Sequence, residues 1–300
     1  MKKSLMTLAL AALASGAVFA QANDTLAKIK SKGEITLGTR DSSGALAYTI
    51  GDGKYVGFHT EMSENIAADI AKQLGVSNLK VNKQLVTSQN RIPLVVNGTV
   101  DLECGSTTNN LARQKDVAFA VTTYVEEVRI AVNKKSGIKS IKDLNGKTVA
   151  TTTGTTSVQT LRKNERAQGI DFKEVLGKDH ADSFLLLESG RADAFVMDGS
   201  ILAANIARSK NPKDFEIVGE VLSVEPIACM MPKGDEKLKK AIDASIVRQI
   251  KDGSLAKLYD KWFMQPIPPN NVTLNMPLSA STKAAWENPN DKPMEDYGNK

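Results

Sequence analysis

Cysteine and histidine are scarce: Cys104, Cys229, His59 and His180 are the only ones in 300 residues. With so few there is no CxxC pair and no HExxH helix, the spacings from which zinc sites are commonly built, so neither metal nor cofactor is expected. Aromatic residues make up only 5% of the chain and the basic residues are scattered, which leaves no clustered, aromatic-interleaved surface for nucleic acid. Beyond residue 20 no apolar run approaches the roughly eighteen residues that a membrane span requires. The formal net charge is +5, and Lys2 and Lys3 supply two of those charges.

What is present begins with those two lysines. They precede an apolar stretch from Leu5 to Phe19 that closes on the small-residue pattern Val18-Phe19-Ala20, which reads as a cleaved secretory signal peptide over residues 1–20. No cysteine follows it to carry a lipid, so the mature chain is expected to be exported and soluble, in the periplasm. About 280 mature residues fit two domains of ordinary size, with a single large domain as the alternative. In an oxidising compartment the even pair Cys104 and Cys229 points to a disulfide, with two buried thiols as the alternative.

Strand-like runs at Ile35–Gly38 and Leu79–Val86 flank a helical stripe of Met62, Ile66, Ile70 and Leu74, the alternation of an α/β sheet. An internal repeat adds detail. Ser88-Gln89-Asn90-Arg91 opens an apolar helical run ending at Asn97-Gly98, followed by the strand Val100–Cys104 and then Gly105-Ser106. Asp179-His180 opens a second run ending at Ser189-Gly190, followed by Ala192–Val196 and then Met197-Asp198. Laying Gly98 on Gly190 places Asp101 on Asp193, Ser106 on Asp198 and Ser88 on His180. The repeat predicts two similar lobes, each offering polar side chains at strand carboxyl ends and helix starts, where open α/β sheets bind ligands. Ile227–Met231 reads as a strand returning to the first lobe, with helices at Leu238–Ile250 and Leu255–Phe263, and the Pro- and Asn-rich stretch from Pro266 reads as an extended tail.

Three arginines fall near strand or helix ends: Arg40 after the first strand, Arg91 at a helix start, and Arg113 in a helix expected to begin near Asn109. Their planar forks suit carboxylates, and hydroxyls cluster beside them at Ser88, Ser106–Thr108 and Thr151–Ser157. The last run precedes a helix and lacks the lysine of a phosphate-binding loop; it suits either an anion or an ordinary helix cap. Asp198 offers a counter-charge for an ammonium group, or is a plain surface carboxylate. His180 admits three roles: helix cap, carboxylate donor or general base.

The segments Thr87–Pro93, Glu103–Asn110 and Asp260-Lys261-Trp262-Phe263 make the chain similar to the periplasmic glutamate/aspartate-binding proteins of ABC transporters, over nearly its whole mature length. One departure is His59, which follows Gly57-Phe58 where the broader family carries an acidic residue. The resemblance implies a two-lobed periplasmic binding protein type II fold, each lobe a mostly parallel sheet flanked by helices, joined by hinge strands. The expected division is lobe 1 over 21–124 plus 225–265, lobe 2 over 125–224, and a C-terminal extension over 266–300. By resemblance Arg113, Ser106 and Thr108 hold a ligand α-carboxylate, and Asp198 the α-ammonium. Arg40, Ser88, Arg91 and His180 address the side-chain carboxylate, and Thr156 lines the opposite lobe. The implied function is capture of L-glutamate or L-aspartate by a monomer and delivery to ABC permease subunits, without chemistry. Two rivals use the same fold: an amino-acid-sensing receptor component and a small-molecule lyase.

Overall fold

In the computed structural model residues 24–297 are described, so the expected signal peptide lies outside the described residues. From the amino-terminal side, α1 (Thr25–Lys32) leads to β1 (Glu34–Thr39), a small meander of β2 (Ser42–Ser43), β3 (Ala47–Thr49) and β4 (Tyr55–Val56), and then α2 (Phe58–Leu74). β5 (Lys80–Leu85), α3 (Arg91–Val96), β6 (Leu102–Glu103) and β7 (Val117–Phe119) follow. β8 (Tyr124–Asn133) crosses to the second lobe, which contains β9 (Thr148–Thr152), α4 (Thr156–Gln168), β10 (Lys173–Gly177), α5 (His180–Glu188), β11 (Ala194–Asp198) and α6 (Gly199–Arg208). The chain returns along β12 (Phe215–Ile227) to β13 (Met230–Pro232), α7 (Glu236–Lys251), α8 (Ser254–Tyr259) and finally α9 (Ala280–Glu287).

The two large sheets share one plan. Their orders are β5-β1-β6-β13-β7 and β10-β9-β11-β8-β12, with the first three strands parallel and the last two antiparallel to their neighbours. In each sheet the fourth strand adjoins a crossing: β13 arrives from the second lobe and β8 leaves the first. Helices cover both faces of each sheet, and apolar clusters fill the layers between them. The α2 stripe behaves as its spacing predicts, with Met62, Ile66 and Ile70 fully buried against the first sheet.

The internal repeat is visible atom by atom. Gly98 and Gly190 both adopt left-handed φ, at 75° and 72°. Asp101 accepts from the Thr36 amide at 2.9 Å, and Asp193 accepts from the Thr148 amide at 2.8 Å, each aspartate locking the start of its own strand to the second strand in the order of its sheet. Periodicity thus identified positions with equivalent structural duties.

Two expectations fail. Arg113 lies not in a helix begun at Asn109 but in a single 3-10 turn, Arg113–Lys115. The Asn110 side chain accepts from the Arg113 amide and closes a local turn, and the sequence there has no apolar stripe to bury, so nothing extends it. The tail is not simply extended. It forms α9, its Trp286 indole donates to the Thr123 carbonyl at 2.8 Å, and the Thr282 hydroxyl accepts from the Val125 amide at 3.0 Å. The few aromatic residues concentrate here: Trp286 and Phe263 meet Phe58 and Tyr259, which surround the start of the β8 crossing at Tyr124.

Cys104 and Cys229 are bonded across a sequence separation of 125 residues, joining the end of β6 to the segment that enters β13. Reduction, or replacement of both cysteines by serine, is expected to lower the unfolding free energy by about 2–5 kcal/mol, measured as a shift in denaturant midpoint at constant slope.

Candidate ligand site

The segment after β6 forms the floor of the cleft between the lobes, and its carbonyls are all committed. Gly105 accepts from His59 Nδ1 at 2.6 Å, Ser106 from Arg91 at 3.1 Å, Thr107 from the Ala228 amide at 3.1 Å, Thr108 from Arg113 at 2.8 Å, and Asn109 from the Met294 amide at 2.8 Å. His59, the departure from the family pattern, is therefore a buried anchor for this floor. Because a carbonyl can only accept, Nδ1 carries the proton, and Nε2 faces the Thr123 hydroxyl at 2.9 Å.

Arg40, at the end of β1, is 2% exposed and reaches across the cleft. Its Nη2 donates to Ser88 Oγ at 2.7 Å and to His180 Nε2 at 3.2 Å, while Nη1 lies 3.3 Å from Ser106 Oγ. The repeat-related residues Ser88 and His180, one from each lobe, thus share one guanidinium nitrogen. His180 is the first residue of α5, but Asp179 caps that helix by accepting from the Asp182 amide at 2.9 Å. With Nε2 accepting from Arg40, Nδ1 donates to Thr152 Oγ1 at 3.1 Å. Burial first, then the Arg40 and Arg91 charges, push the His180 imidazole well below its usual range and keep it neutral.

The three guanidiniums are held by neutral acceptors. None of the ion pairs among the described residues includes Arg40, Arg91 or Arg113. Arg91 is 1% exposed, and its Nε has no hydrogen-bond partner. Burial, reinforced by the Arg113 and Arg40 charges, lowers the Arg91 guanidinium well below the arginine range. Asp198, which ends β11 and begins α6 without capping any of its amides, has the opposite strain. Burial and the Glu126 and Glu225 carboxylates raise it well above the usual carboxylate range. An anion relieves the first strain and a cation the second.

Ser42, Ser43, Glu126 and Glu225 also line this cleft without any signal in the sequence, and so does Thr152, which the sequence offered only as one hydroxyl of the Thr151–Ser157 run. Ser42 Oγ accepts from the His180 amide at 3.2 Å, and Ser43 and Ser106 hydroxyls lie 3.0 Å apart. Glu126 and Glu225 stand opposite each other on β8 and β12. Glu126 receives the Ser200 hydroxyl at the start of α6, and Glu225 receives those of Thr108 at 2.5 Å and Thr156 at 2.6 Å. Each crossing strand so grips the first turn of a helix that begins at the cleft. The Thr151–Ser157 run ends a strand, turns at Gly154 and starts α4; Thr155 occupies the cap position without making a side-chain cap bond.

The lobes are closed on one another. Arg113 Nη2 donates across the cleft to the Gly154 carbonyl at 3.3 Å, and Arg208 at the far end of α6 stacks 3.9 Å above the Tyr48 ring. Gly154 has φ +79°, and a Cβ there would lie 2.8 Å from the backbone of Ser88 and Gln89.

Comparison with known proteins places this geometry among relatives. Residues 35–265 match the family model of bacterial extracellular solute-binding proteins, family 3. An L-glutamate/L-aspartate-binding protein of Pseudomonas aeruginosa is 44% identical over 293 residues, covering 97% of this chain and 97% of that protein. A glutamate/aspartate import solute-binding protein of Escherichia coli is 43% identical over 293 residues, covering 95% and 97%. Among solved structures, a mutant of ArgBP from T. maritima superposes with a TM-score of 0.70 at 28% identity, covering 79% of this chain and 98% of that one. The architecture is the two-lobed type II periplasmic binding fold.

Two outcomes test the site's construction. Gly154→Ala should weaken ligand binding, because the added methyl meets the opposing backbone only when the lobes close; scattering measurements of the liganded variant should show a larger radius of gyration than the wild type. Burial lowers His59 from 6.5 to about 4, so its contribution is complete above pH 6.5 and is lost as pH falls through about 4. Glu126 runs the other way: burial raises it to about 7, and its contribution fades as pH rises toward 7. The difference between wild type and His59→Asn isolates the histidine, and that difference should shrink between pH 7 and 4 by on the order of 3 kcal/mol.

Proposed function

We propose that this chain, which belongs to the bacterial extracellular solute-binding proteins, family 3, captures L-glutamate or L-aspartate between its lobes and delivers it unaltered, in the periplasm, to the permease of an ABC importer. The moving bodies in this reading are residues 21–124 with 225–265 and residues 125–224. The observation that carries it is the charge pattern of the cleft: guanidiniums with only neutral partners on one side, and a strained carboxylate, Asp198, on the other. An acidic amino acid supplies two carboxylates and one ammonium, which is the complement of that pattern. The names of the relatives at 43–44% identity support the same ligand class and the absence of a chemical step.

In this reading Arg113 and Ser106 take the α-carboxylate, Arg91 and Arg40 with Ser88 take the side-chain carboxylate, and Asp198 takes the ammonium. Hydrogen-bond direction refines two further roles. His180 accepts from Arg40, so it orients that guanidinium while remaining neutral. Thr108 and Thr156 donate their hydroxyl protons to Glu225 and so offer lone pairs, which suit the ammonium rather than a carboxylate. Closure follows ligand capture because the ligand has its highest affinity for the form in which both lobes contact it.

Calorimetric titration of the ligand-stripped protein checks the assignment. Both acidic amino acids should bind far more tightly than L-glutamine; equal affinity for glutamine sinks the carboxylate assignment. Arg91→Ala should cost glutamate about 2–5 kcal/mol of binding and cost glutamine markedly less.

A further inference from the structure

Glu225 is fully buried on β12, where the chain passes back from the second lobe to the first, and it reaches both sides of the cleft. One oxygen, Oε2, accepts from Thr108 Oγ1 in the cleft floor of the first lobe and from Thr156 Oγ1, the first residue of α4 in the second. The other, Oε1, accepts from Ser223 Oγ at 2.8 Å. The two threonine oxygens are brought to 3.3 Å from each other across the cleft. A hydroxyl has one proton, and a carboxylate can only accept. With both protons committed to Glu225, what remains on each threonine oxygen is lone pair.

We propose that Glu225 is a positioning residue of the ligand site: by taking the hydroxyl protons of Thr108 and Thr156 it turns one oxygen from each lobe into an acceptor, and so ties capture of the ligand ammonium to lobe closure. The proposal rests on the reading that an amino acid occupies the cleft, but not on which one. Glu225 need not touch the ligand. Its effect passes through the threonines: both donate to the same oxygen, so a glutamine could keep its carbonyl on them and turn its NH2 to Ser223, whereas an apolar side chain such as leucine removes the acceptor. Without that acceptor each hydroxyl is free to turn its own proton toward the ammonium.

The test is a double-mutant cycle on the full chain, stripped of ligand and titrated with L-glutamate, L-aspartate, L-glutamine, L-arginine and L-cysteine. Preference of the wild type for glutamine, arginine or cysteine overturns the acidic assignment above and leaves this test intact, since each variant is compared on whichever amino acid the wild type binds best. A wild type that binds none of the five overturns both. Glu225→Leu and Thr156→Val should each raise Kd about 10- to 100-fold, chiefly through faster dissociation, and the double variant should be no worse than the weaker single by more than about threefold. Kd within about threefold of wild type in Glu225→Leu, or losses that multiply in the double variant, overturn the proposal. Should Glu225→Leu fail to fold by circular dichroism, the cycle of Thr108→Val with Thr156→Val takes its place: both hydroxyls act through one carboxylate, so sub-multiplicative losses support the proposal and multiplicative losses overturn it.

Discussion

Everything at the cleft depends on the fixed backbone of residues 105–109. A polar loop at the end of a strand would ordinarily turn its carbonyls to water and move with it. Here each carbonyl has a donor from a different part of the chain: His59 at the start of α2, Arg91 at the start of α3, Ala228 between β12 and β13, Arg113 and the tail amide of Met294. The disulfide from Cys104 to Cys229 closes the same region from beneath. Two of the donors are the guanidiniums proposed to hold ligand, so the floor that positions the arginines is also positioned by them. A displacement of the floor would move the anion-holding groups together, which is why distant anchors such as His59 belong to the functional structure.

The proposed closure would instead be taken up in β8 and β12, the strands that cross between the lobes. Their opposed carboxylates, Glu126 and Glu225, hold the starts of α6 and α4 through Ser200 and Thr156. Both helices begin at the cleft, and α6 ends where Arg208 lies over Tyr48 of the other lobe. One helix therefore connects the Asp198 end of the site to a cross-lobe contact at its far end. A small rotation about the crossing strands changes both at once, because a packed helix moves as a rigid body.

The sequence carried the architecture well where it carried a period or a repeat. The α2 stripe, the paired glycines and the paired aspartates were legible because backbone geometry dictates them, and the repeat singled out Ser88 and His180, which prove to share an arginine nitrogen. It was silent where the meaning of a residue depends on burial. Glu126 and Glu225 read as ordinary acidic residues in strands, and Ser42 and Ser43 as ordinary polar ones, since nothing local says that their side chains face a closed cleft. Arg113 was expected in a helix and lies instead in a 3-10 turn: a short side-chain-closed turn has no periodicity to betray it. The tail was illegible for a related reason, because α9 is held mainly by Trp286 and Thr282 bonding to a segment about 160 positions earlier.

The choice of partners for the three arginines explains why the site is built from hydroxyls, carbonyls and a neutral imidazole. Carboxylate partners would have stabilised the buried guanidiniums more strongly, but they would also have cancelled the field that the proposed dicarboxylate ligand would meet. Neutral acceptors fix the geometry, and carboxylates such as Glu103 and Asp198 act on the guanidiniums through space without an ion-pair contact. Arg91, with a buried Nε lacking any partner, is the extreme case. The floor and the disulfide hold the region independently of any ligand, and in the proposed reading the same strain is the source of affinity for an anion that satisfies those groups. In the proposed reading, recognition of an acidic ligand and local destabilisation of the site have one electrostatic origin, and a variant that improved the pairing of Arg40 or Arg91 within the protein would gain stability at the expense of binding.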